Sequence, residues 1–524
     1  MNEKETGSFY TPEKLIEFMI SYIGDRVTPS SILEPSAGDG RFIKHIEQLT
    51  NNITMVEFDV EKADHLKEKH NSKYRVVCSD FISYSLQEKT KFDLIIGNPP
   101  YIAKKSIPQD QYEQSIKVAN YFNLDKAIIQ NLWVSFVLSS IKMLESNGAI
   151  FFVLPFEFLQ VQYAEKLRNF LETKFNSIEI ITFEERIFEN IEQDICLVYL
   201  ANIPNQKSYI QYTTLVSAEN TTVTFSSIIK RNKPLKKWSN CILNDEETDR
   251  FMKLASSFPK ISEFGEISPG IVTGANSFFI LSHEKIISLK IPNDNVLPII
   301  TKASNITDAL LYNSADFNLM ISKKIATHLI NLNGLERKHF SKALRQHIAT
   351  GEKDEINKGF KCKHRKRWYD VPIVKNGQAC FFKRYHNVPK VIVNKAGVHT
   401  TDIAYNIRFK KEYDADSFAF CFYNSLTLAL CEYNGRFYGG GVGELVPKEF
   451  KELHVPYKMI SNENIQKLDS MFRSATSIDI IIDFVDEIVL DTLSSDDKQL
   501  LQQIRKKYIT RRMKTYQRRP SNNE

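Results

Sequence analysis

The sequence predicts an α/β fold: a mostly parallel, Rossmann-like seven-stranded sheet over residues 1–205, then a second domain of α+β type over 206–524. Three observations carry this. From Ser31 to about Leu200, short apolar runs alternate with longer helical stretches, the rhythm of strands covered by helices. The last two runs are joined by about a dozen residues without helical periodicity, which implies an antiparallel hairpin closing the sheet. Beyond Asn202 the rhythm breaks, and 524 residues exceed the roughly 250–300 at which single cores usually divide.

In chain order the strands are expected at 31–33, 53–58, 74–78, 92–96, 149–154, 178–183 and 195–200. Helical patterns fall between them at 40–48, 60–69, 131–144 and 163–173. The second domain opens with a polar Asn- and Thr-rich stretch at 211–227, continues through irregular β-like segments, and then becomes strongly basic. Amphipathic helices are expected at 465–474 and 475–493, followed by a basic, polar tail from Arg505 to Arg519.

Hydrophobic residues make up 42% and charged residues 25%, ordinary values for a globular protein, and the net charge of +6 is too mild to name a partner. Seven scattered cysteines read as reduced thiols in a cytoplasmic protein and exclude a disulfide scaffold. Residues 1–9 carry no apolar core of a signal peptide, and no apolar run reaches the roughly 18–20 residues that span a bilayer. The expectation is a soluble, cytoplasmic protein with no membrane partner.

The run Leu33-Glu34-Pro35-Ser36-Ala37-Gly38-Asp39-Gly40 follows a short strand and opens a helix. Gly38 and Gly40 let the backbone turn tightly and approach a ligand, with Ser36 beside them. An acidic strand end suits a methionine ammonium better than a pyrophosphate. The second strand ends in Glu57-Phe58-Asp59, where a carboxylate about 20 residues on accepts from ribose hydroxyls. The third ends in Asp80-Phe81, a carboxylate for an adenine amino group and a ring to flank it. Each feature alone is also a plain turn or a helix cap. Three acidic strand ends in order point to a small adenosyl cofactor.

Asp93-Leu94-Ile95-Ile96-Gly97-Asn98-Pro99-Pro100-Tyr101 runs an apolar strand straight into two prolines, which cannot extend a ladder and which fix the backbone. Asn98 and Tyr101 are thereby held at the carboxyl edge of the sheet, where α/β ligands bind. An exocyclic adenine amine is a poor nucleophile because its lone pair is delocalised into the ring. Acceptors on its two N–H groups, the Asn98 side-chain oxygen and the Pro99 carbonyl, would turn the lone pair toward an electrophilic methyl. Tyr101 offers a flat face to hold the base. Cytosine N4 is likewise an exocyclic amine, so these residues alone leave it open, whereas C5 chemistry lacks its Pro-Cys loop.

This order of motifs resembles the γ-class, TaqI-like adenine-N6 DNA methyltransferases of restriction–modification or orphan type. The resemblance covers about the first 200 residues. It implies the class I S-adenosylmethionine-dependent methyltransferase fold with a C-terminal α+β DNA target recognition domain. It also implies that a segment like Phe9-Tyr10-Thr11-Pro12 packs over the methionine end of S-adenosylmethionine, with Thr11 at the cofactor-contacting position, and that Glu34, Glu57, Asp80 and Asn98 occupy cofactor or catalytic positions. A hairpin aromatic of the family stacks on the flipped base, and Phe188 matches it, with Phe183 as the alternative. The implied partner is double-stranded DNA, bound by a monomer, with a separately encoded endonuclease as a counterpart.

In the second half, Lys363, Arg365, Arg367 and Trp368 form a dense basic run ending in aromatics, and Lys383, Arg384 and Lys395 continue it. Such runs are often just solvated faces, but beside a DNA-modifying half they read as phosphate contacts. Cys362, His364, Cys380 and His386 lack zinc-ligand spacing, so no metal is expected. The Gly-rich turns at 269–276 and 438–443 lack the Lys-Ser/Thr of a phosphate loop, and Asn276 is a candidate to face DNA.

Three rival readings fit the residues less well. A fused nuclease is disfavoured because Thr11-Pro12 lies almost at the start and no downstream acidic cluster carries a Glu-x-Lys. Methylation of protein glutamine or RNA uses the same loop but fits a large basic second half less well. A decayed methylase kept for DNA binding conflicts with the intact Asn98–Tyr101 loop.

Overall fold

The structure, a computed structural model, describes residues 10–24, 26–70, 73–188, 194–230, 235–306, 308–438 and 441–514. Phe9, the hairpin segment 189–193, Gly439, Gly440 and the tail beyond 514 lie outside the described residues. The chain divides into two compact units. One comprises Met1–Asp249 with Tyr438–Gly441 and Met513–Glu524; the other comprises Arg250–Phe437 and Val442–Arg512.

In the first unit all seven expected strands form: β1 (Ile32–Glu34), β2 (Ile53–Glu57), β3 (Arg75–Cys78), β4 (Phe92–Gly97), β5 (Leu144–Pro155), β6 (Ser177–Phe183) and β7 (Ile195–Ala201). Every residue of β1, β2 and β7 is buried, as expected of strands covered on both faces. β1 pairs in parallel with β2 and β4, β2 with β3, and β4 with β5. β7 is antiparallel to both β5 and β6, which is the expected closing hairpin.

The sheet does not stop there. β8 (Tyr209–Leu215) adds parallel to β6, and β9 (Val223–Ile229) adds antiparallel to β8, giving nine strands in the order β3-β2-β1-β4-β5-β7-β6-β8-β9. The strands therefore run past residue 205, through the 211–227 stretch that reads as polar and irregular. β9 is almost entirely exposed or half-buried, and an edge strand that buries so little tolerates a Thr- and Ser-rich sequence.

The chain leaves β3 on one side of β1 and re-enters at β4 on the other. The loops after β1 and β4 therefore depart side by side from the same edge, with no crossover between them. The helix Glu13–Gly24 buries Leu15, Ile16, Phe18, Met19, Ile20 and Ile23 in the cluster that also takes Leu94, Ile96, Phe151, Val153 and Leu197. Six such side chains contribute on the order of 10 kcal/mol as an upper bound. That is ample to fix the helix and, with it, Tyr10 and Thr11 just ahead of its first turn.

The second unit contains a five-stranded sheet of Gly265–Pro269, Ala404–Phe409, Ala379–Phe382, Lys390–Asn394 and Leu311–Tyr312. It has apolar clusters around Phe279, Leu329 and Leu344 and around Tyr312, Phe382 and Ile392. The two expected C-terminal helices form as Asn462–Arg473 and Ile478–Val489. Residues 505–514, read as tail, belong instead to the helix Ser495–Lys514. Arg505 and Arg512 are buried there and paired with Asp479 at 2.9 Å and Glu432 at 2.7 Å. Their partners lie 26 and 80 residues away, so the run looks like a solvated tail until the fold supplies the carboxylates. No described helix is long and apolar enough to cross a membrane.

Candidate active site

The turn after β1 is built by two glycines in the left-handed region, Gly38 at φ 57° and Gly40 at φ 77°. A Cβ on Gly40 would stand 2.6 Å from Leu66 Cδ2, so the turn also needs the missing side chain to pack against the helix Val60–Lys69. Glu57, at the end of β2, accepts the Gly38 amide at 2.7 Å and the Asp59 amide at 2.9 Å. Tyr10 lies against the same turn: a Cβ on Gly38 would be 3.8 Å from its ring, and the Arg41 guanidinium sits 4.8 Å from the ring centre. Thr11 beside it is buried. Ser36 donates from Oγ to the Asn98 carbonyl at 3.1 Å, which joins the two loops directly.

Glu34 is the electrostatic oddity of this edge. It is 1% exposed, and its Oε2 has no hydrogen-bond partner among the described residues. Burial, then the neighbouring Glu57 and Asp39 carboxylates, push its pKa well above the ordinary carboxylate range. A buried carboxylate without a partner is costly, and a cation placed beside it would remove most of that cost.

Phe58 follows Glu57 and is 69% exposed, an open ring at the strand end. Asp80 caps the helix Phe81–Gln87, accepting from the Ser83 amide at 2.9 Å and its hydroxyl at 2.7 Å, while Oδ1 accepts from Gln111 Nε2 at 2.7 Å. Phe81 points inward and packs against Phe136 at 5.1 Å, so its ring is a core ring backing the site. Gln111 and Phe136 had no signal in the sequence. Gln111 lies on a polar helix 31 residues from Asp80, and Phe136 looks like any helix-core aromatic.

Pro99 is buried and Asn98 and Pro100 are half-buried. The Tyr101 hydroxyl donates to the Val153 carbonyl on β5 at 3.1 Å, and its ring packs on the main apolar cluster of the unit. Burial pushes that phenol well above its usual pKa, so it remains protonated and keeps donating. A cleft of about 590 Å³ opens two residues further on, lined by Ala103, Lys104, Lys105, Gln109, Tyr112 and Gln130. Phe188 is only 8% exposed and belongs to the same apolar cluster as Ile16 and Leu197. It stands at the last described position before the 189–193 segment. Phe183 meets Phe18 edge-on at 5.7 Å.

The second unit sorts the basic candidates. Arg365 donates to the Thr273 carbonyl at 2.7 Å, the Val272 carbonyl at 3.2 Å and the Trp368 carbonyl at 3.3 Å, so it is a loop clamp. Arg367 makes a two-pronged pair with Asp370, 2.8 Å at each end, and reaches the Leu332 and Leu335 carbonyls at 2.9 Å. Trp368 packs against Phe278 and Phe279. Lys383 lies 3.8 Å from Asp402, Arg384 3.0 Å from Glu444 and Lys395 2.7 Å from Asp416. Lys363 alone of the seven is exposed with no carboxylate partner among the described residues. Strand pairing brings in Glu444, a turn Asp402 and a helix Asp416, all from positions the local run does not show.

A mostly parallel sheet with an antiparallel β7, a glycine turn after β1 and an Asn-Pro-Pro-Tyr loop after β4 define a class I S-adenosylmethionine-dependent methyltransferase fold. The family models agree: Eco57I restriction-modification methylase matches residues 36–188, and the C-terminal domain of Type II methyltransferase M.Eco57I matches residues 235–490. Together they place the chain among the Eco57I-type restriction-modification methylases. Type II methyltransferase M.AccI of Acinetobacter calcoaceticus is 22% identical across 94% of both chains. M.HincII of Haemophilus influenzae is 30% identical over 194 residues, 36% of each chain. Among solved structures, the Type IIL restriction-modification enzyme MmeI in complex with DNA aligns with a TM-score of 0.51 at 11% identity, over 97% of this chain and 73% of that one. The last likeness is one of fold.

Proposed function

We propose that the protein is a site-specific DNA methyltransferase that methylates the exocyclic N6 amine of a flipped-out adenine in double-stranded DNA. The observation that carries this is the junction of the two loops, where Ser36 holds the backbone of Asn98 at 3.1 Å and the cofactor turn and the catalytic loop become one edge. The relatives named Type II methyltransferases, and a fold neighbour solved with DNA, support a DNA substrate.

S-adenosylmethionine, when bound, supplies an electrophilic methyl group at its sulfonium. The residues fit it: Glu34 offers a buried, unsatisfied carboxylate to a methionine ammonium. Glu57 keeps a second lone pair on each oxygen for ribose hydroxyls, because the bonds from the Gly38 and Asp59 amides use one apiece. Phe58, with its ring exposed, would stack on a purine, and Asp80, steadied by Gln111, would accept from an adenine amino group.

The chain then has to hold an amine in a tetrahedral attitude. The Asn98 side-chain oxygen and the Pro99 carbonyl accept from its two N–H groups, and Pro99 and Pro100 keep that spacing rigid. Tyr101, tied to Val153, is the platform for the base. Base–aromatic stacking of roughly 1–3 kcal/mol offsets part of the few kcal/mol lost on flipping. The amine sheds its proton during or after transfer, so no strong base is required. Phe188 serves as the second ring only by leaving its apolar cluster. Lys104 and Lys105 beside the cleft offer cations to the target strand. The working unit is a monomer on DNA, and a separately encoded endonuclease is its natural counterpart.

The test is to incubate the purified protein with methyl-labelled S-adenosylmethionine and plasmid from a methylation-free host, then digest to nucleosides. Label in N6-methyldeoxyadenosine is expected. Label in N4-methylcytosine overturns the base assignment, and label only in added protein or RNA overturns the DNA reading.

A further inference from the structure

Once the paired cations of the second unit are set aside, one unneutralised surface stands out on the turn from Gly359 to Lys366. Two anchors make this turn rigid. Cys362 is fully buried in an apolar cluster, and Arg365 clamps the carbonyls of Val272 and Thr273. The neighbouring turn is so close that a Cβ on Gly274, at φ 81°, would stand 2.8 Å from Lys361 Cβ.

What the rigid turn displays is unusual. Phe360 is 71% exposed, the most exposed large hydrophobic side chain among the described residues. The Lys361 and Lys363 ammonium groups each lie 5.7 Å from its ring centre, and the His364 ring lies at 5.0 Å. The His364 ring nitrogen Nδ1 is 2.7 Å from the Phe360 carbonyl, which holds the turn's backbone in place. Lys361, Lys363 and Lys366 are exposed and have no carboxylate partner among the described residues, unlike Lys383, Arg384, Lys390 and Lys395. Asn276 and Ser277 are exposed at the start of the short helix that follows the adjoining turn.

We infer that this double turn is a duplex-contacting surface in which Phe360 meets the bases and Lys361, Lys363 and Lys366 meet the flanking phosphates. The inference rests on the DNA reading above and adds a residue and a division of labour to it. An apolar ring among unpaired cations matches the layout of nucleic acid, apolar base faces between rows of anionic phosphates. A single ring is too little apolar area to hold a lipid surface. The preset loop geometry keeps the ordering cost of binding low.

The experiment measures binding of the full-length protein to a short labelled duplex cut from plasmid DNA that the wild type methylates, across a salt series. Phe360→Ala should weaken binding at least about five-fold with the salt slope unchanged. The triple variant K361Q/K363Q/K366Q should lower the slope of log affinity against log salt by about two to three, near 0.9 per lost phosphate contact. Both variants should melt like the wild type. Wild-type affinity for Phe360→Ala, or an unchanged slope for the triple variant, overturns the inference while leaving the methylase reading intact. A wild type that neither binds nor methylates any DNA overturns both.

Discussion

The Glu57 carboxylate accepts the Gly38 amide at 2.7 Å, and its other oxygen holds the Asp59 amide, so one side chain joins the end of β2 to the turn after β1. A residue that the sequence marks only as a ribose acceptor is therefore also a structural tie. Glu57→Gln would set an NH₂ against one of those amide donors. We expect a loss of about 2 kcal/mol of stability, the scale of charge-assisted hydrogen bonds, with at least ten-fold weaker cofactor binding. Thermal melting and calorimetric titration with S-adenosylmethionine check the two effects separately.

Glu34 sets a pH dependence. Its folded pKa lies above the ordinary carboxylate range, so at low pH it is neutral and offers nothing to a cationic ligand. Cofactor affinity should strengthen as pH rises through that elevated value. The same sign makes its contribution to folding favourable at low pH and lost as it ionises. Glu34→Gln should flatten the affinity profile; a profile identical to wild type would remove Glu34 from the ammonium role.

Tyr101→Phe keeps the ring and loses the hydrogen bond to Val153. A bond of that type is worth roughly 1 kcal/mol, so kcat/KM should fall less than about ten-fold. Tyr101→Ala removes the platform itself and should cost substantially more. Single-turnover kinetics on plasmid DNA distinguish them, and equal losses would point to the hydroxyl.

Much of the first unit is legible in the sequence because its signals are local. β1 to β7 are apolar runs bounded by turns; Glu34 and Glu57 end β1 and β2, and Asp80 and Asn98 follow within two residues of the ends of β3 and β4. β8 and β9 are not legible, since an edge hairpin needs little apolar patterning. The basic stretch of the second unit misleads for a related reason. Asp402, Glu444 and Asp416, which occupy Lys383, Arg384 and Lys395, come from other elements of the fold. Arg365 looks like a phosphate contact in a charge run and is a clamp on backbone carbonyls.

That clamp gives its own prediction. Arg365→Ala leaves the Val272 and Thr273 carbonyls without their donor and should destabilise the protein by about 2–4 kcal/mol, visible as a lower unfolding midpoint in denaturant. Lys363 is exposed with no carboxylate partner among the described residues, so Lys363→Ala should melt unchanged. Equal midpoints for the two variants would contradict this division.

Asp486 is buried, accepts the Ser425 amide at 2.8 Å, and is pushed by burial to a pKa of about 6. A folded pKa above the unfolded value near 3.9 means that its stabilising contribution is present at low pH and lost as pH rises through about 6. Asp486→Asn should raise the melting temperature at pH about 8, by an amount on the order of 2 kcal/mol in stability, and have little effect near pH 4. Melting curves across that range decide it.

The most direct test of the central claim is long-read sequencing of DNA from a methylation-free host that expresses either the wild type or Asn98→Ala. The account predicts N6-methyladenine at one fixed sequence motif in the wild-type DNA and none in the variant. Unmodified DNA from a folded, cofactor-binding wild type, or the same methylation from Asn98→Ala, would contradict it.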